Sequence, residues 1–409
     1  MNLQNAGKNL LLQLKPRLLL QITRNDVMRS PQSLVLIFAI TLLAVTISSS
    51  AAQQVSLKDA FADDFLIGAA LSEDQVMGKV PLAMELAEKQ FSSITPENSL
   101  KWEKVHPTKD KYNFAPADKF VEFGEKNKMF IVGHTLVWHS QTPNWVFRDE
   151  QGNALDREAL LERLRDHIHT IVGRYKGRIG GWDVVNEAID LENGNDTQGK
   201  WRESKWRQII GPDYIEKAFE FAHEADPDAE LYYNDYDEWK SGKREFFVEL
   251  VNNLKAKGIR IDGIGLQAHW GLDYPTLTEI DLMFRDLSEL GVKLMITELD
   301  INVLPQPVRG LGADVNMRFQ ERPEFNPYPD GLPEGVERQL SNRYTEIFRI
   351  FHKYRDSLDR VTFWGVEDGQ SWLNYWPIRG RTNYPLLFDR NYQPKPAYED
   401  VIKIVSEAE

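Results

Sequence analysis

Short runs of apolar and β-branched residues recur along the chain, separated by longer stretches that have apolar residues at helical spacing. Eight such runs predict strands, at residues 65–70, 91–95, 130–134, 181–186, 231–234, 263–269, 293–299 and 361–366. Between them, residues such as Leu160, Leu164, Ile168 and Ile171 fall on one face of a helix. Strand and helix alternating through eight units predict the α/β class and a parallel (β/α)8 barrel of the TIM type.

Residues 53–409 show no low-complexity run, linker or change of composition, which indicates a single domain. No glycine-rich phosphate loop follows the first predicted strand, so the usual reason for preferring an open, doubly wound sheet is missing. The longest connection joins the seventh and eighth strands and is rich in proline between Pro305 and Pro333. We expect it to form a structured surface insertion on the face where barrel active sites lie.

An uncharged apolar run at residues 34–47 precedes this domain. It follows a basic segment and leads into the small residues 48–52, a combination typical of a secretory signal peptide. The basic segment is unusually long, and a start at Met28 would leave an ordinary signal peptide. The run is shorter than the roughly 20 residues of a membrane-spanning helix, although an uncleaved anchor stays open as an alternative. We predict that residues 1–52 are a signal peptide and that the domain is secreted or periplasmic.

Composition narrows the possible chemistry and partners. The chain contains no cysteine, which excludes disulfides, thiolate catalysis and cysteine-based zinc sites. The net charge is −13, and residues 1–52 carry a surplus of +4, so the remainder carries −17. A surface of this sign disfavours nucleic acid and anionic membranes as partners. A neutral polymer is compatible with it.

Two glutamates stand at predicted strand ends, Glu187 after the fourth strand and Glu298 in the seventh. The C-terminal ends of barrel strands converge on one cleft, so residues distant in sequence share a site there. Two carboxyl groups are the minimum requirement for glycoside hydrolysis, because one protonates the departing oxygen while the other attacks or activates water. The supporting residues predicted beside them are Asn186, Gln267, His269 and Asp300.

Residues suited to binding sugars cluster at the same strand ends. Flat apolar faces on which a pyranose ring can lie are offered by Trp102, Trp138, Trp364 and Trp372. Hydrogen bonds to hydroxyl groups are expected from Glu97, Asn98, Lys101, His134 and Gln141. Each of these residues alone has an ordinary explanation as core or solvated surface. The specific signal is their joint occurrence at five or more strand ends.

Other polar residues are given ordinary roles. His167 and His169 fall on a predicted helix and are expected to be surface residues, while Asp235, Asp237 and Glu238 are expected to be solvated or structural. A metal-dependent hydrolase is disfavoured, because His134 and His139 are five residues apart and do not form a His-Glu-x-x-His site. We therefore predict no metal and no cofactor.

Between residues 65 and 400 the chain resembles the family 10 glycoside hydrolases, chiefly endo-β-1,4-xylanases. The resemblance is carried, in the family's order, by residues 95–102 (TPENSLKW), 134–143 (HTLVWHSQTP), 182–187 (WDVVNE), 232–236 (YYNDY), 264–269 (IGLQAH), 296–300 (ITELD) and 385–389 (PLLFD). It implies a (β/α)8 barrel in which Glu187 is the acid/base and Glu298 the nucleophile. It also implies that xylan and xylo-oligosaccharides are the partners, and we expect a monomer.

The resemblance also assigns positions around the sugar chain. Glu97, Asn98, Lys101 and Gln141 would bind the sugar one unit beyond the cleavage point. The reacting sugar would be surrounded by His134, Trp138, Asn186, His269, Trp364 and Trp372. In xylan-specific members the tryptophan matched by Trp372 crowds the space that the hydroxymethyl group of glucose would occupy, so xylose is favoured.

The expected reaction is hydrolysis with retention, by double displacement. Retention requires the two carboxyl groups to stand about 5–5.5 Å apart, whereas inversion needs about 6.5–9.5 Å. Glu187 should have a raised pKa, because an acid must hold its proton near the working pH. Two alternatives stay open: a related hydrolase acting on β-glucan, cello-oligosaccharides or short xylo-oligosaccharides, and a non-catalytic glycan-binding protein, which would be expected to lack one carboxylate.

Overall fold

A computed structural model describes residues 55–308 and 315–408. The predictions for residues 1–52, a signal peptide with an alternative start at Met28, lie outside the described residues. No helix within the described ranges is both long and apolar enough to cross a membrane.

Eight parallel strands close into a barrel, which confirms the predicted fold. They are β1 (Leu66–Leu71), β2 (Ser93–Pro96), β3 (Phe130–Trp138), β4 (Gly181–Asn186), β7 (Glu230–Asp235), β8 (Gly263–Leu266), β10 (Lys293–Asn302) and β11 (Leu358–Phe363). Each pairs with the next in parallel, and β11 closes the ring by pairing with β1 at Leu66 and Arg360. Three short strands lie outside the barrel ring. β5 (Ile189–Leu191) and β6 (Gly199–Trp201) form an antiparallel hairpin, and β9 (His269–Gly271) pairs in parallel with the end of β10.

One long helix follows each barrel strand and packs outside it. These helices are α3 (Pro81–Gln90), α5 (Ala115–Lys126), α6 (Arg157–Arg174), α8 (Tyr214–Ala225), α9 (Ser241–Ala256), α10 (Leu277–Ser288), α11 (Glu334–Lys353) and α12 (Pro396–Ala408). Short helices are α1 (Leu57–Ala60), α2 (Glu73–Val76), α4 (Trp102–Val105) and α7 (Lys205–Ile210). In α6 the apolar stripe that predicted the helix is buried, and Asp156 caps the first turn by accepting a hydrogen bond from the Ala159 N–H.

Two predicted strands end earlier than their apolar pattern suggested. The sixth predicted strand stops at Leu266 and resumes as β9, because Ala268 between them has a positive φ of 59°. The last strand ends at Phe363, and the chain turns at Gly365, which has a φ of 139°. Both breaks lie at the C-terminal ends of the strands, where the backbone turns polar and aromatic side chains toward the barrel mouth.

The described part of the proline-rich connection after β10 is held against the loop that follows β11. The Phe319 N–H donates to the Pro377 carbonyl at 3.0 Å. The Thr382 N–H donates to Oδ1 of Asn326 at 2.9 Å. These bonds place the connection on the C-terminal face of the barrel, as expected for a structured insertion.

Candidate active site

The C-terminal ends of the strands surround a cavity of about 320 Å³. The predicted residues that line it are Glu97, Asn98, Lys101, His134, Trp138, Gln141, Asn186, Glu187, Gln267, His269, Glu298, Trp364 and Trp372. Asp300 lies outside this lining, behind His269, and is completely buried. The structure therefore brings residues from widely separated segments into one site.

Glu187 follows β4 in a left-handed conformation, with a φ of 58°. Its own N–H donates to the Asn234 carbonyl at 2.9 Å, and Nε of Arg202 donates to the Glu187 carbonyl at 2.8 Å. A non-glycine residue with positive φ is uncommon and persists where its surroundings hold it. Hydrogen bonds to β7 and to the segment after β6 thus fix the direction of this side chain.

Three donors surround the Glu187 carboxyl group. Nε1 of Trp138 donates to Oε2 at 2.8 Å, and Oε1 accepts from Gln267 at 3.1 Å and from Asn186 at 3.2 Å. Burial nevertheless raises the pKa of Glu187, and the negative charge of Asp235 adds to the increase. Glu187 therefore tends to keep its proton.

Glu298 is buried in β10, and its carboxyl group is bound on both oxygens. Nδ2 of Asn234 donates to Oε1 at 2.8 Å, and Nε2 of His269 lies 3.2 Å from Oε2. Burial acts to raise the pKa of Glu298, but the hydrogen bond from His269 and the charge of His134 outweigh it. The pKa of Glu298 is therefore lowered, and this carboxyl group is held ionised.

His269 stands between two carboxylates, since its Nδ1 lies 3.0 Å from Oδ2 of Asp300. Burial opposes protonation of the ring, but Asp300 and Glu298 together raise the pKa of His269 to about 10. Oδ2 of Asp300 also accepts a hydrogen bond from Nε1 of Trp372 at 2.7 Å. Asp300 thus orients both His269 and Trp372.

The residues expected to bind the next sugar form a connected polar group. Oδ1 of Asn98 accepts from Lys101 and from Gln141, each at 3.3 Å, and Nδ2 of Asn98 donates to Glu97 at 3.1 Å. Burial lowers the pKa of Lys101, although Glu298 acts in the opposite direction. A preorganised set of donors and acceptors of this kind suits sugar hydroxyl groups.

Aromatic rings complete the cavity. Nζ of Lys101 lies 4.9 Å from the ring centre of Trp138 and 5.9 Å from that of Trp364. Trp372 stacks on Trp376 with ring centres 4.5 Å apart. The ring centre of Trp372 also lies 4.8 Å from that of His269.

Two expectations from the sequence are wrong. Trp102 does not line the cavity; it is buried and stacks on His167 with ring centres 3.5 Å apart. His167 is therefore a core residue and not a surface residue, and burial lowers its pKa well below the ordinary value. The helix around His167 is present as predicted. The helical pattern does not show that His167 points inward, because that depends on its contact with the distant ring of Trp102.

Asp235 and Glu238 are structural, one of the two roles expected for them. Both are completely buried. Asp235 pairs with Nζ of Lys243 at 2.6 Å and accepts the Ile189 N–H at 3.2 Å. Oε1 of Glu238 accepts a hydrogen bond from Nε1 of Trp270 at 3.0 Å.

Among the residues that the structure describes, six more line the cavity that the sequence did not single out: Val315, Arg318, Gln370, Tyr375, Trp376 and Arg379. They belong to the loops after β10 and β11, which the barrel rule places on the active-site face. That rule identifies the loops but not which of their side chains reach the cavity. Within residues 55–308 and 315–408, no group of three or more His, Asp or Glu side chains is arranged to hold a metal ion.

Comparison with known proteins identifies the family. Residues 56–404 match the family model described as glycosyl hydrolase family 10. Endo-1,4-beta-xylanase A of Xylanibacter ruminicola is 45% identical over 367 residues, which cover 90% of this chain and 98% of that protein.

Solved structures agree with this assignment. A GH10 endoxylanase from a sugarcane soil metagenome is 48% identical with a TM-score of 0.82, covering 85% of this chain and 100% of that one. A mutant protein solved in complex with xylotriose is 38% identical with a TM-score of 0.74, covering 85% of this chain and 99% of that one. The match of the family model to most of the chain and the identity to these relatives show that this chain belongs to glycosyl hydrolase family 10.

Proposed function

We propose that this chain is an endo-1,4-β-xylanase that hydrolyses internal bonds of xylan with retention of configuration. The observation that carries the proposal is the presence of two buried carboxyl groups in one sugar-sized cavity, Glu187 held by neutral donors and Glu298 in contact with His269. The pKa of Glu187 is raised and that of Glu298 is lowered. Titratable groups whose pKa values are pushed apart are the usual arrangement for an acid and a nucleophile.

The first step forms a covalent intermediate. An ionised oxygen of Glu298 attacks the anomeric carbon, and the bond from that carbon to the glycosidic oxygen breaks. Glu187 gives its proton to the departing oxygen, so the leaving chain ends in a hydroxyl group. Asn186 and Trp138, which donate to Glu187, keep the carboxyl group directed into the cavity.

The second step returns the enzyme to its starting state. Once Glu298 is esterified, its negative charge is gone, so Glu187 loses its proton more readily. Ionised Glu187 takes a proton from water while the water oxygen attacks the anomeric carbon and Glu298 departs. Two inversions at the same carbon give net retention.

Trp372 supports xylose as the reacting sugar. Its indole is fixed on one side by the hydrogen bond to Asp300 and on the other by stacking on Trp376. A ring held in this way cannot easily move aside for the hydroxymethyl group of glucose. The relatives named as xylanases support the same substrate class.

The proposal is tested by sizing the products released from xylan and from carboxymethyl cellulose. We expect mixed xylo-oligosaccharides from xylan alone. Glu298→Ala should lose at least about 10³-fold in rate, because the attacking group is removed. Glu238→Gln, which alters another buried glutamate outside the cavity, should retain activity. Comparable cleavage of cellulose would make the enzyme a broader glucanase, and undiminished activity of Glu298→Ala would overturn the assignment.

We also propose that the enzyme acts outside the cytoplasm as a monomer. The basic segment and apolar run before residue 53 support export. Fractionation of cells that express the chain with and without residues 1–52 tests this. The export proposal fails if both forms stay in the cytoplasm, and size-exclusion chromatography showing a stable dimer would contradict the monomer.

A further inference from the structure

One side of the cavity has no part in the reaction described above. We call it the outer wall and define it by Val315, Arg318, Tyr375 and Arg379, all of which line the cavity. Val315 and Arg318 belong to the connection after β10, and Tyr375 and Arg379 to the loop after β11.

The outer wall rests on a packed base. The Phe319 N–H donates to the Pro377 carbonyl at 3.0 Å, which joins the two segments next to Arg318 and Arg379. Phe319 packs against the apolar cluster of Leu373 and Trp376. The segments that carry the two arginines are therefore joined to each other beside the cavity that both arginines line.

Buried Arg381 gives this base further support. Its Nη2 donates to the Trp376 carbonyl at 2.8 Å and to the Leu373 carbonyl at 3.3 Å, so its guanidinium holds the loop after β11 in place. Arg379, two residues earlier, is exposed. Arg379 is therefore free of the structural task that Arg381 performs.

Tyr375 presents an aromatic ring at the rim. It is 57% exposed, which makes it one of the few large hydrophobic residues on the described surface. Its N–H donates to the Trp372 carbonyl at 2.9 Å, so its backbone is tied to the sugar-binding tryptophan. An exposed ring on the wall of a sugar-binding cavity offers a flat apolar face to another pyranose.

The charged groups of the outer wall are both cations, although the chain as a whole carries a net charge of −13. Arg318 is exposed, and within the described part of the chain it donates to the Val315 and Met317 carbonyls, both neutral acceptors. No carboxylate within the described ranges pairs with Arg318 or Arg379. Guanidinium groups bind carboxylates through paired, charge-assisted hydrogen bonds.

We propose that the outer wall binds an acidic sugar, a uronic acid carried as a branch on the xylan backbone. The pyranose ring of the branch lies against Tyr375, and its carboxylate pairs with Arg318 and Arg379. This inference rests on the proposed xylanase function and specifies which xylan the site favours. A neutral ring alone would use Tyr375 and leave both cations without a role.

The test compares two substrates with the same backbone length, an unsubstituted xylo-oligosaccharide and one that carries a single uronic acid branch. Arg379→Gln and Arg318→Gln should each lower kcat/KM about three- to ten-fold on the acidic substrate. On the neutral substrate they should change it less than about two-fold. The loss should shrink near 1 M salt, where charges beyond about 3 Å are screened. Arg338→Gln, which changes an exposed arginine paired with Glu334 on α11, should affect neither substrate.

Tyr375 separates stacking from hydrogen bonding. Tyr375→Phe should keep the preference for the acidic substrate, and Tyr375→Ala should reduce it. Equal losses on both substrates in the arginine variants, or no loss on either, would overturn the proposal.

Failure of the xylanase function is recognised separately, as absence of cleavage of both substrates by the unmodified enzyme. In that case the outer wall is tested by calorimetric binding of the acidic oligosaccharide to the unmodified protein and to Arg379→Gln. Equal affinity of the two proteins would also overturn the proposal.

Discussion

Glu187 and Glu298 have the same side chain at the same depth, each 5% exposed, yet the cavity treats them differently. The side chains that donate hydrogen bonds to Glu187 are neutral, and burial and the charge of Asp235 disfavour its ionisation more than the charge of Arg202 favours it. The neighbours of Glu298 include the imidazole of His269, which Asp300 holds protonated. The division of work between the two carboxyl groups is therefore a property of the residues around them.

His269 should control the acidic limb of the pH profile. The enzyme needs Glu298 ionised, and His269 helps to keep the pKa of Glu298 low. In His269→Gln the positive charge is lost, the pKa of Glu298 rises, and the acidic limb of kcat/KM should move to higher pH by about one unit. His169→Gln, which alters a half-exposed histidine beside Glu224, is the matched control and should leave the limb in place. An unmoved limb in His269→Gln would contradict the role given to His269.

Glu238 should affect stability and not catalysis. Burial raises the pKa of Glu238 to about 7, so its contribution to stability is fully present below the unfolded pKa of about 4.5 and is lost as the pH rises through 7. Glu238→Gln, which keeps an acceptor for Trp270, removes this loss. Between pH 5 and 8 it should gain on the order of 2–3 kcal/mol relative to the unmodified protein. Urea unfolding at pH 5 and at pH 8 measures the difference in unfolding free energy between the variant and the unmodified protein. If this difference is the same at both pH values, the assignment is wrong.

At the scale of elements, β7 connects the two catalytic strands. Asn234 accepts the Glu187 N–H through its carbonyl, and its side chain donates to Glu298. Tyr233 accepts the Ala188 N–H at 3.0 Å, and Asp235 accepts that of Ile189. Three consecutive residues of β7 therefore set the backbone that carries the acid/base and the position of the nucleophile.

Gly265 in β8 leaves space for the side chain of Asn234. A Cβ atom at Gly265 would overlap Oδ1 of Asn234, so Gly265→Ala should displace Asn234 and lower kcat at least about ten-fold. Gly181→Ala is the control, because its Cβ would overlap the Tyr232 hydroxyl group at the opposite end of the barrel. Both variants should lose stability, measured by thermal unfolding. When kcat is calculated per folded protein, it should fall in Gly265→Ala and stay close to the unmodified value in Gly181→Ala. Equal losses of kcat in the two variants would contradict the claim.

The strands were predictable from sequence because their apolar runs are continuous, and β-strands buried on both faces read in this way. The residues at which the strands end were harder to predict. The apolar run 263–269 gives no sign of the break at Ala268, because alanine is not a residue type that favours a positive φ. The bonds on either side of the break are tertiary ones, from the Gln267 N–H to the Asp235 carbonyl and from the Asp300 N–H to the Ala268 carbonyl. Trp102 shows the same limit, since nothing in its local sequence distinguishes a ring that faces sugar from one that stacks on His167.

At the scale of the molecule, the order of the strands along the chain determines where each strand end lies around the cavity. Residues such as Glu97 and Trp372, far apart in the chain, line the same space because each follows a strand end. This rule explains why most of the site could be predicted from the sequence. The outer wall escaped prediction because the course of the loops that carry Arg318 and Arg379 depends on tertiary contacts, such as the bond from Phe319 to Pro377.

The central claim is that Glu187 is the acid/base and Glu298 the nucleophile of a retaining enzyme. It is tested most directly by adding azide to Glu187→Ala and Glu298→Ala with an activated aryl β-xylobioside and determining the configuration of the xylosyl azide. Azide should attack the glycosyl-enzyme of Glu187→Ala and give the β-azide, whereas in Glu298→Ala it should replace the missing nucleophile and give the α-azide. The reverse pair of products, or the same anomer from both variants, would contradict the account.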